Sequence, residues 1–185
     1  LRGLEMHLGR SGYVGLAPVE DRRVNVCGLF RLQRYGGRGS EMVWNCLAGN
    51  GLEGLSSRLR EACPDPGSFT AVSAIGFGEQ PGNDGLLVLG DAESMIPPFT
   101  GNGMSMAFEA AETALEPLRR FSEGKESWSR VVQEVRRDLR VRFQRRLLMA
   151  RSLHPFLLTH VGRALLSGVT RSGLLPFKPL SRALR

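Results

Sequence analysis

Asp91 is the residue in this chain best placed to do chemistry. It follows the apolar run Leu86 to Leu89 and Gly90, and it precedes Pro97 and Pro98 and the small-residue string Thr100-Gly101-Asn102-Gly103. A carboxylate accepts hydrogen bonds from sugar-like hydroxyls, and such charge-assisted bonds are roughly twice as strong as neutral ones. The run Leu86 to Leu89 lacks alternation, which predicts a strand buried on both faces, although its length also admits a core helix. In open α/β sheets, ligands bind at the carboxyl ends of strands. The two prolines fix the backbone of the loop that follows and remove two donors from it. Met104, Ala107, Phe108, Ala111, Ala114, Leu115 and Leu118 then recur at helical spacing, so the glycine loop opens a helix. Free N–H groups and the positive end of the helix dipole there favour an anionic or carbonyl-bearing ligand.

Other chemistries find less support. Cys27, Cys46 and Cys63 are odd in number and widely spaced, so they form neither a disulfide framework nor a CxxC metal site. They read as reduced thiols in or near the core, and through them the chain as cytoplasmic. His7 falls in an expected strand. His154 and His160 lie six apart around a helix expected to start near Pro155, on different faces, so no shared metal site is expected and all three read as surface or cap histidines. Ser94 has no neighbouring base in sequence, and no nucleophilic triad assembles.

The elements that position Asp91 divide into three stretches. Residues 1–80 read as β-rich. Tyr13 to Val19 and Val24 to Leu32 flank Glu20-Asp21-Arg22-Arg23 as a hairpin, and Met42 to Leu47 and Ala71 to Phe77 read as further strands. Between those last two, Leu52, Leu55, Leu59 and Ala62 fall on one face of a helix that ends before Pro64. Gly12, Gly15 and Pro18 interrupt the first hairpin strand, which marks either a bulge or a close approach to a ligand. Tyr13 and Trp44 read as sheet-packing aromatics or as pocket walls. Residues 81–126 hold the Asp91 string, and residues 127–185 are helical and basic.

In that last stretch Val131, Val135, Leu139, Phe143 and Leu147 make an apolar stripe, with Arg136, Arg137, Arg140, Arg145 and Arg146 on the other face. Leu153 to Leu166 reads as another helix, and Gly173, Pro176 and Pro179 end regular structure. From Arg130 onward, 13 Lys and Arg stand against Glu134 and Asp138; the local balance of +11 in a chain of net charge +7 leaves −4 for residues 1–129. The basic helix reads as a solvated face packed on protein, or as a peripheral membrane contact in which an anionic lipid surface meets the amphipathic helix. No nucleic-acid module is visible, and no nucleic-acid partner is expected. With 42% apolar and 23% charged residues the composition is that of a soluble domain, without an 18-residue apolar run or a signal-peptide pattern.

The order GDA, four residues, PP, then TGNGMSMAFEAAE resembles the second flavin-binding motif of the FAD-dependent oxidoreductases of the para-hydroxybenzoate hydroxylase and geranylgeranyl reductase superfamily. The resemblance implies a flavin site of Gly90, Asp91, Pro98, Gly101, Asn102, Gly103 and Met104. Asp91 would take the ribityl chain, Pro98 would line the loop, and the backbone of residues 101–104 would face the pyrimidine end of the ring. Ser94 stands where many relatives have histidine, so the resemblance does not specify a hydroxylation chemistry. It further implies an α/β fold, here an α+β fragment: a partial FAD-binding domain, part of an antiparallel substrate-domain sheet over residues 1–80, and the helical carboxyl-terminal region.

The function implied is oxidoreduction with FAD, either monooxygenation with NAD(P)H as electron donor or reduction of carbon-carbon double bonds, on a small aromatic, polyketide or prenyl-type substrate. Relatives hold the ADP half of FAD on an N-terminal GxGxxG turn. Here Gly101-Asn102-Gly103 is followed by Met106 in the third glycine's place, and Gly76-Phe77-Gly78 by Pro81. With Leu1 at its start, the chain reads as the carboxyl-terminal portion of such an enzyme. The missing N-terminal half is then an expected partner. The alternative is a non-catalytic fragment that folds only with a partner chain.

Overall fold

Val14 and Leu16 alternate with Tyr13 and Gly15 along a strand whose one face carries an apolar cluster. The computed structural model describes residues 3–31, 36–82 and 85–172. The chain is a mixed α+β protein that divides into two units, one running to Ala74 and resuming at Pro155, the other spanning Ile75–His154. Among the described residues, no helix is long and apolar enough to cross a membrane.

The first unit is built on a three-stranded antiparallel sheet in the order β1 (Glu5–Leu8), β2 (Gly12–Pro18), β3 (Val24–Phe30). Asp21 and Arg22 both adopt positive φ, 57° and 59°, at the centre of the β2–β3 turn. Two successive left-handed residues are the hairpin geometry whose twist matches that of the strands. The expected hairpin is therefore present, ending at Phe30; Leu32 lies outside the described residues. The ladder runs without a bulge, from Gly12 opposite Phe30 to Pro18 opposite Val24. Gly12 is needed for close approach, since a Cβ there would run into Phe30.

Two helices follow, α1 (Ser40–Gly49) and α2 (Glu53–Glu61). Met42 to Leu47, expected as a strand, lies within α1. A short apolar run does not distinguish the two states, and here helical spacing puts Val43, Trp44 and Leu47 against Val14 and Leu16. Leu55 and the half-buried Leu52 and Leu59 of the expected second helix join the same cluster, whereas Ala62 is exposed.

Asn50 ties helix to sheet. Its Oδ1 accepts from the Ser11 N–H at 3.0 Å and the Ser11 hydroxyl at 2.6 Å, and its Nδ2 donates to Cys46 O at 2.8 Å. At 1% exposure the amide is a buried polar group whose bonds are met by protein.

Residues 71–76 do not form the expected strand. They are exposed, and Ala74 turns the chain at φ 59°, so neither face is covered. Of the three thiols expected in or near the core, Cys46 is half-buried, but Cys27 and Cys63 are exposed; none of the three is in a disulfide. Cys27 stands on an edge strand, and Cys63 in a turn at φ 51°.

The second unit is organised by an antiparallel helix pair, α3 (Gly103–Ser122) and α4 (Trp128–Leu158). Val131, Val135, Leu139, Phe143 and Leu147 of α4 are buried, matching the stripe read from sequence. On α3 the buried positions are Met106, Ala110, Ala114 and Pro117. The stripe expected there is only partly covered: Ala114 is buried and Leu118 packs on the core, but Met104, Phe108 and Leu115 are 78%, 75% and 66% exposed. Small side chains face α4, and ion pairs between the helices fix the rotation. Glu109 meets Arg146 at 2.6 Å and Arg142 at 2.8 Å, and Arg120 meets Glu134 at 2.5 Å.

Helix α4 also continues through Pro155, where a new helix was expected to start. One proline forfeits a single donor of a long helix, and the break comes at Thr159, before α5 (His160–Arg171). Gly162 permits that turn, because a Cβ there would collide with the Phe156 backbone. The helix end expected at Gly173, Pro176 and Pro179 lies outside the described residues, as does the side chain of His160.

Candidate functional site

The apolar run Leu86–Leu89 does not lie in a sheet. Its last residue is extended, at φ −134° and ψ 164°, and Leu87 and Leu89 pack on the helix-pair core, but no ladder includes the run. The ladder nearest in sequence is two residues long, β4 (Gly78–Glu79) against β5 (Ser94–Met95). The expected buried strand is thus unpaired chain, because the described residues place no strand beside it.

Gly90 then turns the chain at φ 61°, a left-handed conformation that glycine adopts without strain. Residues 90–92 form a single 3-10 turn, closed by the Glu93 N–H to Gly90 O bond at 3.0 Å. That turn packs on α3: a Cβ at Gly90 would sit 3.4 Å from the Ala107 Cβ. The fold therefore brings the Asp91 turn against the first turns of the helix that the glycine loop opens. Asp91 itself is exposed, so its carboxylate is available to solvent and ligand.

The loop between them is a second tight turn. Pro97 is buried and Pro98 exposed, and residues 98–100 wind into a 3-10 turn ending at Gly101, φ 68°. Thr100 bonds Pro97 O through its N–H at 3.2 Å and its hydroxyl at 3.0 Å; the Gly101 N–H reaches Pro98 O at 3.1 Å. The first intrahelical bond of α3 runs from the Met106 N–H to Asn102 O at 3.0 Å, and no side chain caps the helix start. The N–H groups of Gly103, Met104 and Ser105 precede that bond and have no intrahelical acceptor. A Cβ built at Gly101 or Gly103 would meet nothing within 4 Å, so the surface over the helix start is open. Asn102 and Gly103 are half-buried, and Met104 projects into solvent.

Two adjacent side chains past Asp91 turn inward. Glu93 and Ser94 are 7% and 4% exposed, and among the described residues no group bonds Glu93 Oε2 or Ser94 Oγ. His154, expected as a surface or cap histidine, is instead half-buried against the rings of Phe77 and Phe99. Nothing in local spacing signals that contact, because its three residues come from separate segments.

The basic helix spends much of its charge within the unit. Arg142 and Arg146 hold Glu109, Arg140 holds Glu79 at 3.1 Å, and Arg137 holds Asp138 at 2.9 Å. The Arg146 hydrogen bond, followed by that of Arg142, keeps the Glu109 carboxyl below the ordinary glutamate range. Tyr13 is buried in the sheet, and Trp44 on α1 meets Phe69 edge-on at 6.1 Å, with the Arg60 guanidinium 5.3 Å over its ring. Compared with models of protein families, with curated proteins and with solved structures, the chain matches none of them.

Proposed function

We propose that residues 86–104 are the ring- and ribityl-binding element of an FAD-dependent oxidoreductase, of the para-hydroxybenzoate hydroxylase and geranylgeranyl reductase kind. The observation that carries this reading is the packing of the turn that holds the exposed Asp91, through Gly90, on Ala107 in the second turn of α3, the helix whose start no side chain caps. The residues fit the group. Asp91 accepts hydroxyl donors of a ribityl chain. The open backbone at Gly101 and Gly103 lets a flat ring approach, and the helix start stabilises negative charge at its pyrimidine end. A bound flavin would supply the redox chemistry, with NAD(P)H as donor in either a hydroxylase or a double-bond reductase.

A second reading is favoured by the backbone of Leu86–Leu89. These residues are apolar and mostly half-buried, with Leu89 extended, yet among the described residues they belong to no ladder. Pairing such a run satisfies its N–H and C=O groups. A polypeptide segment that brings a strand together with a GxGxxG turn would complete both the sheet and the ADP half of the cofactor site, and without it the chain would be non-catalytic.

Titration of the purified chain with FAD and with FMN tests the first reading. FMN carries the ring and ribityl chain without the ADP, so the two quench with about equal affinity if this element alone provides the contacts. Quenching by neither overturns binding by the chain itself and leaves the partner reading.

A further inference from the structure

His154 stands in the last turn but one of α4 and reaches two segments distant in sequence. Phe77 meets its ring edge-on, with centroids 5.2 Å apart and planes at 79°; Phe99 stacks on it at 5.9 Å with planes 2° apart. One turn earlier, Arg151 lies against Gly78, where a Cβ would come within 3.1 Å of its guanidinium. The end of α4 thus grips the 77–78 segment with two side chains and the 98–100 turn with one.

Phe99 is the central residue of that turn. Its neighbours are locked to each other by the bonds of Thr100 and Gly101 to Pro97 and Pro98, and the Asn102 N–H reaches Thr100 Oγ1 at 3.3 Å. A displacement of the Phe99 ring therefore carries Gly101 and Asn102 with it, and these open α3. We propose that His154 is a positioning residue for the helix start, holding the 97–102 turn in register through Phe99. The proposal rests on the flavin reading of residues 101–104 for its functional consequence, and on the ring geometry alone for its structural one.

The test uses the chain with His154→Ala and His154→Phe. A ring stack of this kind is expected to slow local opening about two- to tenfold. In His154→Ala, amide hydrogen exchange at Thr100, Gly101 and Asn102 accelerates by that factor, exchange at Leu139 and Phe143 stays at the wild-type rate, and FMN affinity falls in proportion. His154→Phe keeps a stacking ring and restores both. Unchanged exchange at 100–102 in His154→Ala overturns the proposal, and so does acceleration spread along α4 or a failure of phenylalanine to rescue. If exchange responds as stated while no variant and no wild-type chain binds FMN, the positioning contact stands and the flavin reading falls.

Discussion

The carboxylate of Glu109 on α3 is held between Arg146, at 2.6 Å, and Arg142, at 2.8 Å, both on α4. With Arg146 only 13% exposed and Glu109 22%, the pair is shielded enough for its hydrogen bonds to matter more than those of a surface ion pair. Glu109→Ala strands the Arg146 guanidinium and is expected to cost about 1–3 kcal/mol. Urea unfolding measures it. The double variant Glu109→Ala, Arg146→Met should lose less than the single one, because it leaves no uncompensated buried charge.

The same pair sets the rotation of α3, which makes its two apolar sides differ sharply in tolerance. Phe108, 75% exposed, should accept serine within about 0.5 kcal/mol. Ala110, 1% exposed against α4, should lose about 1–3 kcal/mol on replacement by leucine, which overpacks the helix interface. Thermal or urea denaturation of the two variants separates this rotation from the one expected by spacing alone.

The contrast between α3 and α4 shows what the sequence discloses. On α4 the apolar positions make one narrow stripe against a charged face, so period and burial agree from Val131 to Leu147. On α3 apolar residues surround more than half the helix, and the choice of face was made by alanines small enough for close packing and by carboxylates paired with arginines far along the chain. Local periodicity carries neither. The β2–β3 hairpin was legible because a four-residue polar turn separates two strands of matching length. Met42–Leu47 was not, since six residues fit either period and only contact with Val14 and Leu16 decides. Within the candidate site, the sequence order of Asp91, the prolines and the glycines was legible. The packing of Gly90 on Ala107 and the His154 contact were not, because both depend on tertiary approach.

Acid should reach the first unit through Glu5. Its bonds to Arg58, at 2.6 and 3.2 Å, and then to His7 hold the carboxyl at about 2, down from the ordinary 4.5. A depressed folded value means that the pair contributes stability in full above about 4.5, and that the contribution is lost as pH falls from there through about 2. Carboxyl NMR titration should find Glu5 still ionised at pH 3. In Arg58→Met it should titrate higher, still held somewhat below the ordinary value by His7, and the acid limb of the stability curve should flatten over the same window.

On the flavin reading proposed above, Asp91 and the open start of α3 hold the cofactor by its ring and ribityl chain. The most direct measurement is fluorescence titration of FMN with wild-type chain and with Asp91→Ala, the fold of each checked by circular dichroism. Saturable quenching by the wild type is expected, weakened about tenfold or more when the charge-assisted bonds of Asp91 are removed. Equal affinity in the two folded proteins, or no quenching by the wild type, would contradict it.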